Sequence, residues 1–494
     1  MKYYGCQYIV LLFVLLVCFS CKELPIYIYE TSEKDPQIFP DYKNITIPYN
    51  IAPLNFSYMG DEPCCLVIKG RGSEELQIRG ENGFFSIPKS KWEDLMQRNK
   101  GQALELTIAT YENNKWVGLL PFMINVAPEP IDNNISYRLI PPGYEGWKEM
   151  GIYQRDLNSY KETAILENKL TKHNCLNCHS FCMQDPEKML FHVRAEFEGT
   201  VLIQGKKMEM LNTKTKKTIG PFVYPYWHPS GKYIAFSVNK TMQDFFNNHP
   251  NRVEVYDTAS DIVIYNVENH KISQPALINA SKSFETFPTF SPDGKSLYFC
   301  SANAVDSMPY KYKEVKYSLC RVDFDPLDMS IGGIVDTLYN APLNKKSVSF
   351  PRISPDGKFL VFTLHEFGNF SIWHKDSDLY IYNLETDELK SMEEANSDDV
   401  ESYHSWSSNS RWMIFSSRRT NGLYTRLFIT YVEENGTVHK PFLLPQKNPL
   451  EYYKKLMFSY NIPEFIKNKV DIPKNQLVKL LRNKEKLKVD DYNK

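Results

Sequence analysis

An all-β fold is what this sequence predicts: a β-sandwich, then a β-propeller of about six blades, then a short helical tail. Three observations carry that expectation. Aromatic residues make up 14% of the 494 positions, with 32 Tyr and 29 Phe, and 30 Pro are spread among them. Short apolar runs bounded by Gly, Asn, Asp or Pro recur along the first part of the chain. Beyond them a hairpin-like unit recurs four times, the mark of a repeat architecture.

The leader comes first in chain order. MKYYGCQYIVLLFVLLVCFSCKELP has one early lysine and an apolar run from Tyr8 to Phe19. That run is too short to span a bilayer and suits a signal peptide over residues 1–20. Ser20-Cys21 resembles a bacterial lipobox, although Cys18 and Phe19 depart from its usual residues. The resemblance implies that Cys21 is lipidated and holds an outer-membrane lipoprotein to the periplasmic or the surface side; the alternatives are an ordinary cleaved leader or an uncleaved anchor. Residues 21–40 then read as a polar linker. No later segment is apolar over a spanning length, and a net charge of -1 with both signs interspersed offers no face for a polyanion, so nucleic acid is not an expected partner.

From residue 41 the runs ITIPYNIAPLNFSY, CCLVIKG, ELQIRG, FFSIP, ALELTIATY and WVGLLPFMINVA predict an immunoglobulin-like sandwich over 41–128. KSKWEDLMQRN is its one helical interruption, and PEPIDNN reads as the linker that ends it. The propeller is expected over 136–445. Its repeated segments are YPYWHPSGKYIAFSVN from Tyr224, FPTFSPDGKSLYFCSA from Phe287, FPRISPDGKFLVFTLH from Phe350 and YHSWSSNSRWMIFSSR from Tyr403. Each is a short strand, a tight turn and an alternating strand, because Pro presets φ and Gly accepts a positive φ. SDIVIYNVENHKI and SDLYIYNLETDEL repeat between them, giving four strands per unit. MLFHVRAEFEGTVLIQG with MEMLNTKTKKT reads as a further blade, and YRLIPPGYEGWKEMGIYQRDL can supply strands for closure; six blades fit best, five or seven being the alternatives. The stretch 446–494, rich in Lys and Leu with Pro at segment starts, reads as two short helices and a frayed tail capping the propeller edge.

The units SPDGKxLxF followed by SDIxxYN closely resemble the TolB-like propellers, whose units are termed WD40-like. The combination of lipobox, NIAPLNF, YQRDL and NCLNCHSF also looks like a group of Bacteroides-type lipoproteins described as TolB-like or as cytochrome c-related. The resemblance implies a cell-envelope lipoprotein and no defined activity.

The densest chemistry lies in HNCLNCHSFC, residues 173–182, expected as a loop over 171–185. Cys-x-x-Cys-His is the spacing at which two thiols join one haem and the histidine ligates its iron. Cys175 and Cys178 would form the thioethers of haem c and His179 the axial bond. Candidates for the distal ligand are His192, Met189 and Met150, and Arg194 is a candidate partner for a propionate. Zinc held by Cys175, Cys178 and Cys182 with His173 or His179 is the competing metal reading. A loop disulfide, structural or redox-active, is the third. Seven cysteines remain after Cys21, an odd number; Cys300 and Cys320 are expected to pair across neighbouring strands.

His228 and His404 fall in turn-like or blade-edge positions, and His249, Arg252, Glu254 and Asp257 lie on a long insertion that either contacts a ligand or is simply solvated. No Gly-x-Ser-x-Gly, His-Glu-x-x-His or phosphate-cradling glycine loop is present, which leaves hydrolase chemistry without a motif. Two functions follow. One is a c-type cytochrome that exchanges electrons with an envelope partner. The other is a haem-free scaffold whose propeller face binds an envelope protein or glycan, with the Cys-x-x-Cys-His loop disulfide-bonded.

Overall fold

The computed structural model describes residues 25–491 apart from 73–74, 143–145, 147, 217, 247, 250 and 484. The leader and Cys21 lie outside the described residues. Among those described, no helix is long and apolar enough to cross a membrane.

The sandwich pairs a seven-stranded sheet with a three-stranded one. Gln102–Glu112 is the long central strand. It pairs with Cys64–Lys69 along one edge and with Phe122–Ala127 and Lys115–Gly118 along the other. The small sheet joins Ile38–Phe39, Phe56–Tyr58 and Phe84–Phe85. Helix Lys89–Arg98 closes one end, burying Trp92, Leu95 and Met96, with the Trp92 indole N–H donating to Ile51 O at 2.9 Å. Because neighbouring residues of a strand face opposite ways, Cys64 enters the main sandwich core while Cys65 packs with Ile26, Val67 and Ala109 on the other face. The sequence-based linker 21–40 needs correction. Ile28–Thr31 lies parallel to Lys115–Gly118 and Ile38–Phe39 joins the small sheet, so the described part of this stretch belongs to the sandwich.

Six four-stranded blades follow. Their innermost strands are Ser459–Ile466, Leu176–Phe181, Phe222–Trp227, Ser283–Phe290, Ser347–Ile353 and Glu401–Trp406, in blades one to six. Each packs beside the next, and Glu401–Trp406 meets Ser459–Ile466, which meets Leu176–Phe181, so the ring closes. The first blade is assembled from distant pieces: Ser459–Ile466 pairs antiparallel with Asn134–Ile140, which continues outward to Gly151–Asp156 and Glu162–Glu167. The tail is therefore not helical throughout. Helices Pro449–Lys455 and Lys474–Arg482 are present, but the strand between them is the axial strand of the first blade. Leu487–Lys488 and Asp490–Asp491 then pair along the outer edges of the second and third blades, covering backbone that would otherwise be open.

The tight turns form as their residues dictate. Gly231, Gly294 and Gly357 take φ of 72°, 74° and 78°, and Ser410 takes 62° in the copy without glycine. Cys300 and Cys320 are free thiols, not the expected disulfide. Phe299 stands opposite Cys320 and Cys300 opposite Leu319, a one-residue offset that sends the two sulfurs to opposite faces and into different cores.

Candidate functional site: the propeller axis

The Cys-x-x-Cys-His segment is not a loop. Leu176–Phe181 is the innermost strand of the second blade, and its pairing with Lys188–Val193 shifts between Asn177 and Ser180, leaving Cys178 and His179 opposite Phe191 alone. The same bulge occurs in every blade. Tyr224-Pro225 stand opposite Phe236, Phe287-Pro288 opposite Phe299, Phe350-Pro351 opposite Phe362, Tyr403-His404 opposite Phe415, and Ile462-Pro463 opposite Tyr137. The first residue of each pair is left-handed, with φ of 49° at Cys178, 46° at Tyr224, 51° at Phe287, 52° at Phe350, 51° at Tyr403 and 49° at Ile462. For residues with a Cβ this conformation costs on the order of 1 kcal/mol. Its sixfold repetition marks it as a feature of the fold. NCHSF is thus the blade's copy of the repeat, aligned with SYHSW and SFPRI.

Haem c does not fit this arrangement. Two thioethers and an iron bond require Cys175, Cys178 and His179 to face one slot, yet Cys175 lies in the core between the first two blades with Leu176, Met189 and Phe191, while Cys178 borders the axial cavity. His179 is 2% exposed and its ring turns toward the first blade, beside Arg138 and the Ser136 backbone. Neither of its nitrogens makes a well-formed hydrogen bond. Burial, reinforced by Arg138, holds its pKa down to about 3. Its counterpart His404 packs the same way: Nε2 bonds Val361 O at 2.9 Å, and by register Val361 and Ser136 occupy equivalent places, opposite Arg352 and Glu464.

The candidate distal ligands do not converge either. Met189 and Met150 share the core between blades one and two, Met150 Sδ accepting from Leu176 N at 3.2 Å. His192 faces the other way, toward Phe236 of the third blade, with Nδ1 2.7 Å from Thr200 Oγ1. Arg194 is engaged by Asn177, whose amide oxygen accepts from Nε at 3.0 Å and Nη2 at 3.1 Å. The zinc reading fares no better: Cys182 lies in the core shared by blades two and three, and among the described residues no three His, Cys, Asp or Glu side chains are grouped to hold a metal. All three thiols of the cluster are free and buried, so the loop disulfide does not form.

What the inner strands build instead is an axial throat. The bulge residues close the axis with rings packed edge-to-face or tilted, centroids 4.5 Å apart for Tyr224 and Phe287, 4.1 Å for Phe287 and Phe350, and 4.7 Å for Phe350 and Tyr403. Two residues further along each strand sit Ser180, Tyr226, Thr289, Arg352, Ser405 and Glu464, a polar ring below the aromatic plug. Between plug and ring is a cavity of about 40 Å³ open to water, bordered by Cys178, Tyr403, His404, Arg352 and Glu464. It has room for roughly three water-sized groups and is far below the ~300 Å³ at which pockets for drug-sized ligands or cofactors begin. Arg352 Nη1 donates to Thr289 Oγ1 at 3.2 Å and Pro351 O at 2.8 Å, and the guanidinium lies 5.2 Å from the Tyr226 ring centre. Glu464 Oε2 accepts from Phe181 N at 3.1 Å. Although reachable from the mouth, this carboxyl has lost most of its hydration, which lifts it to about 8 against the opposing pull of the Phe181 N–H and Arg352.

The opposite end of the axis is capped. Strands Tyr233–Phe245 and Val253–Asn266 extend far beyond blade length, and the insertion they carry is pinned at Glu254 and Asp257, while His249 and Arg252 are exposed. Asp257 Oδ2 accepts from Asn239 Nδ2 at 2.8 Å, Asn369 Nδ2 at 2.5 Å and Tyr317 OH at 3.3 Å, joining blades three, four and five. Burial raises its carboxyl to about 7 against those three donors. Glu254 meets His374 Nε2 at 2.8 Å with both side chains almost fully enclosed, and Tyr256 stacks on Tyr312 at 5.0 Å. His228 bonds Ser230 Oγ and Gly294 O of the next blade, a joint between blades.

No family model matches the chain, and no curated protein matches it by sequence. Among solved structures, TolB from Acinetobacter baumannii is 15% identical with a TM-score of 0.43, covering 76% of this chain and 85% of its own. An oligogalacturonate lyase from Vibrio parahaemolyticus is 10% identical with a TM-score of 0.32, covering 58% and 84%. Prolyl oligopeptidase B from Galerina marginata is 10% identical with a TM-score of 0.35, covering 77% and 52%. This chain is a six-bladed propeller in its own strand order, and these are proteins to which it is similar.

Proposed function

We propose that this protein is a haem-free binding propeller of the cell envelope, held to the membrane through Cys21, that takes its ligand at the axial throat. The observation that carries this reading is the sixfold bulge. Cys178-His179 holds the place that Tyr-Pro, Phe-Pro, Tyr-His and Ile-Pro hold in the other blades, so packing of the ring accounts for the pair without a cofactor. Convergent polar groups in a concave site, one of them with a strongly shifted pKa, support the throat as the place of binding. The envelope location rests on the leader and its lipobox-like end.

The test is the mass and the absorption spectrum of the mature protein made in cells that attach c-type haem. A colourless protein whose mass shows lipid on Cys21 and no haem is expected. Covalent haem released only in a Cys175→Ala, Cys178→Ala variant would restore electron transfer as the function.

A further inference from the structure

The throat holds a cation without an ion pair among the described residues. Arg352 spends one nitrogen on Thr289 and Pro351, and among the described residues no carboxylate lies within ion-pair distance of the guanidinium. Around the same cavity the Ser405 hydroxyl is buried without a hydrogen-bond partner. Buried polar atoms are nearly always satisfied, so an unfilled one at a cavity points to something that satisfies it. A guanidinium presents a planar fork that matches two oxygens in one plane. The available space admits only a small head group, so a longer ligand would leave its stem outside.

We propose that the throat is a carboxylate-binding site, in which Arg352 takes the carboxylate head of a small organic acid, with the Ser405 hydroxyl donating to its oxygens. This rests on the reading of the throat as the place of binding and names the ligand class. Glu464 faces Arg352 from the fifth blade, Tyr226 from the third and the Phe181 N–H from the second, and His179, Tyr403 and His404 line the same cavity; of these only Arg352 is charged at neutral pH. Ionising Glu464 would set a second negative charge against the bound carboxylate, so affinity falls as pH rises through the Glu464 pKa.

The experiment titrates the purified full chain with acetate and propionate, and with acetamide and propionamide as neutral shapes, followed by calorimetry and by ligand-observed NMR. The acids bind and the amides do not. Arg352→Gln, checked for native thermal unfolding, weakens binding on the order of tenfold to a hundredfold, and Arg352→Lys, which keeps the charge and loses the fork, weakens it less. Wild-type affinity drops about fivefold from pH 8 to 9, whereas Glu464→Gln binds equally at both. Trialanine and its C-terminal amide form a second arm: a free peptide that binds tighter than acetate assigns the carboxylate to a chain end, and one that binds more weakly assigns it to a free acid. Equal binding of acids and amides, no binding by the folded wild type, or full binding by folded Arg352→Gln overturns the proposal. Such a failure in a colourless protein leaves the haem-free reading standing, which only covalent haem would remove.

Discussion

His404 shows how one side chain serves packing and pH response together. Enclosed between two blades, with Nε2 on Val361 O, it is held neutral by burial, its pKa down to about 3. His179 and His192 are displaced to the same level by the same cause. A histidine whose folded pKa is depressed stays neutral in the native state while the unfolded chain takes up a proton. Its contribution is therefore lost as pH falls from about 6.5 toward 3. Asp257 and Glu285, raised to about 7, act in the opposite sense, relieving destabilisation as pH falls toward the ordinary carboxylate range. His404→Gln, which keeps a donor for Val361, removes one histidine from this balance. Relative to wild type, the variant gains about 1.4 kcal/mol per pH unit between pH 6 and 4, read from urea midpoints. Parallel curves would mean that His404 is already charged in the folded protein. The residue scale also explains why the cysteine cluster misleads. Cys178-His179 lacks the aromatic and the proline of most copies, so NCHSF resembles a haem anchor more than it resembles FPRI. The legible signal was one strand downstream, where MLFHV matches LVFTL and MIFSS with its central Phe in register.

Elements that repeat were readable and elements that close were not. The four SPDG-like hairpins announce themselves because turn chemistry is local. The strand Ser459–Ile466 has no such mark: NIPEFI sits between two helical stretches, and its partner Asn134–Ile140 is about 330 residues away, beyond any local pattern. Its burial shows its weight, since Tyr460, Phe465 and Ile466 are each at most 1% exposed and Arg138 Nη2 donates to Asn461 Oδ1 at 2.6 Å. Tyr460→Ala is expected to cost about 3–5 kcal/mol in equilibrium unfolding. A chain ended after Lys455 should fail to give soluble monomer on size-exclusion chromatography, whereas one ended after Asp471 should remain folded with a lowered midpoint. Recovery of native monomer from the shorter chain would mean the ring does not need this strand.

At the scale of the molecule, sandwich and propeller form one cooperative body. A single apolar cluster runs from Ile47, Phe56 and Trp92 to Trp406, Trp412 and Phe442 of the sixth blade. The segment between the two parts is fastened: the Trp412 indole N–H and Asn409 Nδ2 donate to Pro130 O at 3.0 and 2.7 Å, and Ser408 binds Asp132 through backbone and hydroxyl. Tyr42 OH reaches Leu443 O and Asn55 Nδ2 reaches Lys447 O. One calorimetric transition is expected for the whole chain, and Asp132→Ala should lower it by a few degrees without splitting it. Two resolved transitions would show independent domains. The late position of the axial strand in the first blade has a further consequence for how the protein comes into being. During synthesis or export the edge of Asn134–Ile140 stays uncovered while five blades emerge behind it, offering the unpaired backbone on which chains cross-link into aggregates. The ring behaves as a clasp that can be shut only near the end of delivery, so a carrier that shields that edge until release would govern the yield of the protein more than any single contact inside it.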